Sequence, residues 1–171
     1  NGKGNISLIV GKQRFKMDSF EYNFNQKKGF LFNVNGLINT ENLVEDLYPN
    51  FDIKASQKID LLKEIKKRKV LNTPNKVDNW VFFTQKIYID GEKWSTEKAI
   101  FTNDLLELNQ VKIIVNSLEA LPKNEELRFK SSLNYLVLDE KLSIPFWIGN
   151  RTLRKSGENL TFANRWNLGY E

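Results

Sequence analysis

The sequence predicts an all-β protein of antiparallel strands interrupted by one short helical insertion. Two observations carry this. Apolar and polar residues alternate over many stretches, the period of a strand with one buried face. Turn residues punctuate those stretches roughly every 8–12 residues. That spacing suits a sandwich, a jelly roll or a barrel.

Ile6 to Val10 reads as the first strand, and Gly11-Lys12 as a turn. Arg14 to Phe24 alternates but changes phase. Phe15 and Met17 share one parity, and Phe20, Tyr22 and Phe24 share the other. A bulge or bend at Asp18-Ser19 accounts for the change. Asn25 to Gly29 turns the chain into a strand carrying Phe30, Phe32, Val34 and Ile38, so the first 38 residues form a β-meander.

Residues 39–78 break the pattern. Ser56 caps a predicted helix with Ile59, Leu62 and Ile65 on one stripe and lysines in its last turns, which the helix dipole favours. This stretch reads as a peripheral helical insertion.

Strands resume at Trp80 to Thr84 and Lys86 to Asp90, with Asp90-Gly91 as a tight hairpin turn. Lys93 to Phe101 returns, and Gln110 to Leu118 follows. Leu127 to Leu138 reads as one long strand with Phe129, Leu133, Tyr135 and Val137 on one face. Leu142 to Ile148 and the alternating Trp166, Leu168 and Tyr170 complete the succession.

At 171 residues the chain fits one domain, or one domain and the start of another. It has no histidine and no cysteine. Ser-His-Asp and Cys-His catalysis, imidazole or thiolate metal sites, and disulfides are therefore excluded. The only methionine is Met17, so Asn1 reads as a start by excision, with any leader upstream. The net charge of +5 would suit an anionic partner, although scattered lysine is also ordinary solubilising surface. The carboxylate pairs Asp139-Glu140 and Glu125-Glu126 sit in turn-like contexts and do not form a glycosidase pair. Gly2-Lys-Gly4 does not extend into a phosphate-binding loop. Aromatic residues, at 12%, are the informative class. They fit a sheet core, a stacking platform for nucleic acid or polysaccharide, or a groove for acyl chains.

Three stretches together resemble a known family. They are Gln13 to Phe24 continuing to Asn33-Val-Asn-Gly36, Ile87 to Trp94 with Ala99 to Asp104, and Tyr135 to Pro145 with Asn150 to Leu153. They look like the periplasmic domain of lipopolysaccharide-assembly outer-membrane proteins, the OstA-like or LptD-type group, in a divergent bacterial branch. The resemblance implies a taco-like β-jelly roll, open along one side, in the periplasm at the outer membrane. Its apolar interior would take the acyl chains of lipopolysaccharide or a similar acylated lipid. Its edge strands would stack on a periplasmic bridge jelly-roll protein. Residues 1–158 would be that domain, with 39–78 as its insertion, and 159–171 the start of an outer-membrane β-barrel that receives the lipid.

On this reading the protein is not an enzyme and uses no cofactor, metal or nucleic acid. The groove residues would be Phe30, Phe32, Val34, Phe82, Ile113, Val115, Phe129, Leu133 and Tyr135. The alternative is a basic β-sandwich module binding nucleic acid or polysaccharide through exposed aromatics.

Overall fold

The computed structural model describes residues 1–40, 42–46, 54–55, 79–102, 111–123, 126–145 and 150–154. Among them, eleven strands form a single sheet in which every pairing is antiparallel. The sheet is open and unclosed, as in a taco-like jelly roll, and the one helix among the described residues is a single turn.

In chain order the elements are β1 (Gly2–Val10), β2 (Gln13–Asn23), β3 (Lys28–Asn39), α1 (Leu43–Asp46), β4 (Lys54–Ala55), β5 (Asn79–Asp90), β6 (Lys93–Thr102), β7 (Val111–Lys123), β8 (Glu126–Lys130), β9 (Tyr135–Leu138), β10 (Leu142–Pro145) and β11 (Arg151–Arg154). The sheet runs β10-β9-β7-β6-β5-β3-β2-β1-β4, and β8 lies between β7 and β11. The predicted turns at Gly11-Lys12 and Asp90-Gly91 form. At Asp90-Gly91 the glycine takes a φ of 62°, which a residue without Cβ adopts at little cost. Its N–H donates to the Lys27 carbonyl at 2.8 Å, tying neighbouring hairpin ends together.

Register explains the core. Leu8, Phe15, Gly36, Phe82, Phe101, Ile113, Leu136 and Ile144 are successive cross-strand partners in one row. Tyr22, Gly29, Ile89, Trp94, Ala120 and Phe129 form a second. Paired side chains share a face, so both rows look inward. Between the rows, the inward positions step by three residues instead of two. The steps are Met17 to Phe20, Val34 to Leu31, Thr84 to Ile87, Ala99 to Thr96 and Val115 to Leu118. Because β2, β3, β5, β6 and β7 skip together, the pairings on either side keep the same offset.

This fold line is polar on its outer side. Asn33 and Ser117 each take a φ of 50°, and Asn33 donates from Nδ2 to Asp18 Oδ2 at 2.8 Å. The β5–β6 ladder has no pairs between Phe83↔Ile100 and Tyr88↔Ser95. There Thr84 Oγ1 donates to the Lys98 carbonyl at 2.8 Å and lies 2.7 Å from Thr96 Oγ1. The hydroxyls serve the Lys98 carbonyl, which the β5–β6 ladder leaves unpaired.

Two expectations are corrected. Trp80 to Thr84 and Lys86 to Asp90 belong to one strand, β5. Leu127 to Leu138 is not one strand but two, because the long β7 pairs with β9 through its first half and with β8 through its second. The chain steps outward at 131–134 to make the change. Fully buried Asn134 fixes that step, accepting from the Asn116 N–H at 3.0 Å and donating to Ser131 Oγ at 2.8 Å. The predicted Ser56 helix and the barrel segment 159–171 lie outside the described residues.

At the β9–β10 turn, Lys112 Nζ is 2.8 Å from Glu140 Oε1. The hydrogen bond and charge of Lys112 hold this carboxyl below its ordinary range. A lowered folded-state value adds stability above the unfolded value, and the gain is lost as pH falls through the folded one. An NMR titration should show Glu140 moving towards an ordinary carboxylate value in Lys112→Met. The stability change should be small, because Glu140 is solvent-exposed.

Candidate functional site: an apolar cavity inside the sheet

The inward rows do not meet completely. Phe15 meets Phe82 edge-on at 5.8 Å, Phe82 stacks on Phe101 at 5.9 Å, and Phe15 lies 6.3 Å from Trp94. Gly36 makes the first of these contacts feasible: a Cβ there would overlap the Phe82 ring and touch Phe15. Beside this cluster an apolar cavity of about 140 Å³ remains, walled by β2, β3, β5, β6, β7 and β8. Among the described residues, no charged side chain lines it. The hydroxyls of Thr84 and Thr96 in its wall are engaged by each other and by backbone.

Protein interiors are normally packed too tightly to leave such a void. A cavity of roughly 150 Å³ lined by aliphatic and aromatic groups stays dry and takes one benzene. This space therefore fits a few methylenes of an alkyl chain, and enclosing a longer one requires part of the wall to move.

One end is closed by α1. Leu43 and Val44 are buried in a cluster with Leu127 of β8, against Ile38, Ala120 and Phe129. The polar side of the helix is fixed to the β1–β2 turn. Asp46 Oδ2 accepts from the Lys12 N–H at 2.8 Å and from Gln13 Nε2 at 2.7 Å. Gln13, fully buried, also donates to the Asn39 carbonyl at 3.1 Å and accepts from its N–H at 2.8 Å. Residues 39–40 and 42–46 are thus integral to the cavity rather than peripheral, which corrects the expectation for this part of the insertion.

Of the nine predicted groove residues, Phe82, Ile113, Val115 and Phe129 line the cavity, and Val34 is fully buried in the adjoining core. Phe30 and Phe32 lie on the opposite face, because Leu31 takes the inward position once the alternation skips at Asn33. Tyr135 pairs with Ile114 and shares its outward side, while Leu136 stands beside Ile113. Leu133 is exposed in the 131–134 step. Sequence reasoning missed Phe15, Trp94, Phe101 and Leu43. Phe15 carried a usable signal in its parity with Met17, whereas Leu43 carried none.

The outer face has its own aromatic group. Phe30 lies 5.1 Å from Tyr88 and 6.3 Å from Phe32, and Lys86 Nζ stands 4.0 Å over the Phe30 ring.

A family model described as a protein of unknown function (DUF3769) matches residues 74–171, more than half of the chain. The chain belongs to this family. The DUF3769 match takes in β5 to β11, and so the β5–β8 wall of the cavity, whereas β1 to β3 and α1 precede it. No curated protein matches the chain.

Proposed function

We propose that this domain holds acyl chains in its apolar interior, as the periplasmic lipid-conducting segment of an outer-membrane lipopolysaccharide-assembly protein. The observation that carries the proposal is the cavity inside an open β-sheet that no charged side chain among the described residues lines. Each methylene moved from water into such a space gains about 0.8 kcal/mol, so even a short segment of chain supplies useful affinity. In this scheme β10, the edge strand among the described residues, offers its backbone to a bridge jelly roll, and a following barrel receives the lipid.

The test is photo-crosslinking. Crosslinking residues at Ile113 and Phe129, both in the cavity wall, should capture an acylated lipid, and one at Phe32 on the outer face should not. Equal capture at all three positions, or capture at Phe32 alone, would sink the proposal.

A second reading, binding of polyanions such as nucleic acid or anionic polysaccharide, is favoured by the outer Phe30–Tyr88 pair beneath Lys86. It predicts that Tyr88→Ala and Lys86→Ala weaken retention on heparin and leave lipid capture at Ile113 unchanged. Retention equal to that of the parent protein counts against it.

A further inference from the structure

We propose that α1 is a displaceable clasp that controls access of an alkyl chain to the cavity; this rests on the acyl-chain reading above. The helix joins two parts of the sheet that lie on either side of the fold line. Its polar side is fixed to the β1–β2 turn through Asp46, and its apolar side presses Leu43 and Val44 against Leu127 on β8. Gly11 leaves room for this, since a Cβ at that position would overlap the Asp46 carboxylate.

Three observations make α1 the part of the wall that moves. First, the enclosed space holds only a short piece of chain, so a longer chain is seated fully inside only if a wall element yields. Strands can yield only by breaking ladder pairs, whereas α1 belongs to no ladder. Second, α1 has one turn, and helices this short do not hold themselves together in water. Its position depends on the contacts just described. Third, Asn42 Oδ1, at the start of the helix, is buried with no hydrogen-bond partner among the described residues. Displacement hydrates that oxygen and recovers part of the cost of breaking the Asp46 contacts.

The chain contains no cysteine, so Val44→Cys with Leu127→Cys introduces the only two thiols and can lock the clasp shut. Trp80 and Trp94 line the cavity and report occupancy through quenching by a brominated dodecanoate, with Trp147→Phe and Trp166→Phe as background. Oxidation of the thiol pair should slow quenching at least tenfold, and reduction should restore it. Asp46→Ala should quench at least tenfold faster than the background protein. In the otherwise unaltered protein, dodecanoate should speed hydrogen exchange of the Asp46 amide, which donates to the Asn42 carbonyl at 2.9 Å in the closed state. Full quenching at one common rate in the parent, locked and Asp46→Ala proteins overturns the clasp and leaves the acyl-chain reading standing. Unchanged Asp46 exchange despite full quenching does the same. No quenching in any variant overturns both.

Discussion

Replacing Phe82 by alanine is expected to lower the unfolding free energy by about 3–5 kcal/mol, the range for removing a buried aromatic ring from a core. Phe82 is 6% exposed, stacks on Phe101, meets Phe15 edge-on and covers Gly36. Gly36 has no side chain, and the backbone on both sides is held by the ladder. Urea denaturation measures the loss, and a value below about 1 kcal/mol would show that this row is not the centre of the core. The same truncation enlarges the cavity. If the interior binds alkyl chains, dodecanoate should recover part of the lost stability in Phe82→Ala and raise its midpoint more than that of the parent protein. A midpoint that ignores dodecanoate in both proteins would separate the packing role of Phe82 from any role in lipid binding.

Gln13→Leu is expected to have the next largest effect. The substitution strands the N–H and C=O of Asn39, which now bond the Gln13 amide, and removes one donor from Asp46. A buried polar group left without a partner costs about 1–3 kcal/mol, and here two are orphaned in one place. Gln13→Glu tests the electrostatic part. It keeps an acceptor for the Asn39 N–H but sets a second carboxylate against Asp46. Like charges disfavour ionisation, so the variant should be least stable at neutral pH and recover partly in acid as one carboxyl takes up a proton. Thermal melts at neutral and acidic pH measure this, and a Gln13→Glu protein as stable as the parent at neutral pH would contradict the geometry.

The fold was legible in the sequence where the pattern and the turn chemistry agreed. Gly11-Lys12 and Asp90-Gly91 mark their hairpins, and the change of parity from Met17 to Phe20 locates one crossing of the fold line, because apolar residues stand on both sides of it. At Asn33 the same crossing was hidden. Phe30, Phe32 and Val34 share a parity and are all apolar, so the outward aromatics continue a pattern that the backbone has already left. Leu127 to Leu138 misled for a related reason: the alternation of Phe129, Leu133, Tyr135 and Val137 continues through a break set by pairing with β7. Periodicity reports side chains, whereas the break depends on which distant strand supplies hydrogen bonds. For the cavity, strand alternation pointed to four wall residues. Leu43 and the anchoring of α1 through Gln13 were not legible, since they depend on contacts between distant parts of the chain.

The common fold line also governs which changes of length the domain tolerates. Removing one residue from a lone strand at this level, for instance deleting Asn33, restores an uninterrupted two-residue repeat in β3 while β2 and β5 keep their extra residue. Half of β3 would then have to face the wrong way or slip against both neighbours. Such a deletion cannot be absorbed locally, and neither can a single insertion in the same strand. For the strands paired on both sides at this level, length variation is therefore confined to the connections, whereas β1 takes up a register shift between Lys3 and Ile6 within the strand.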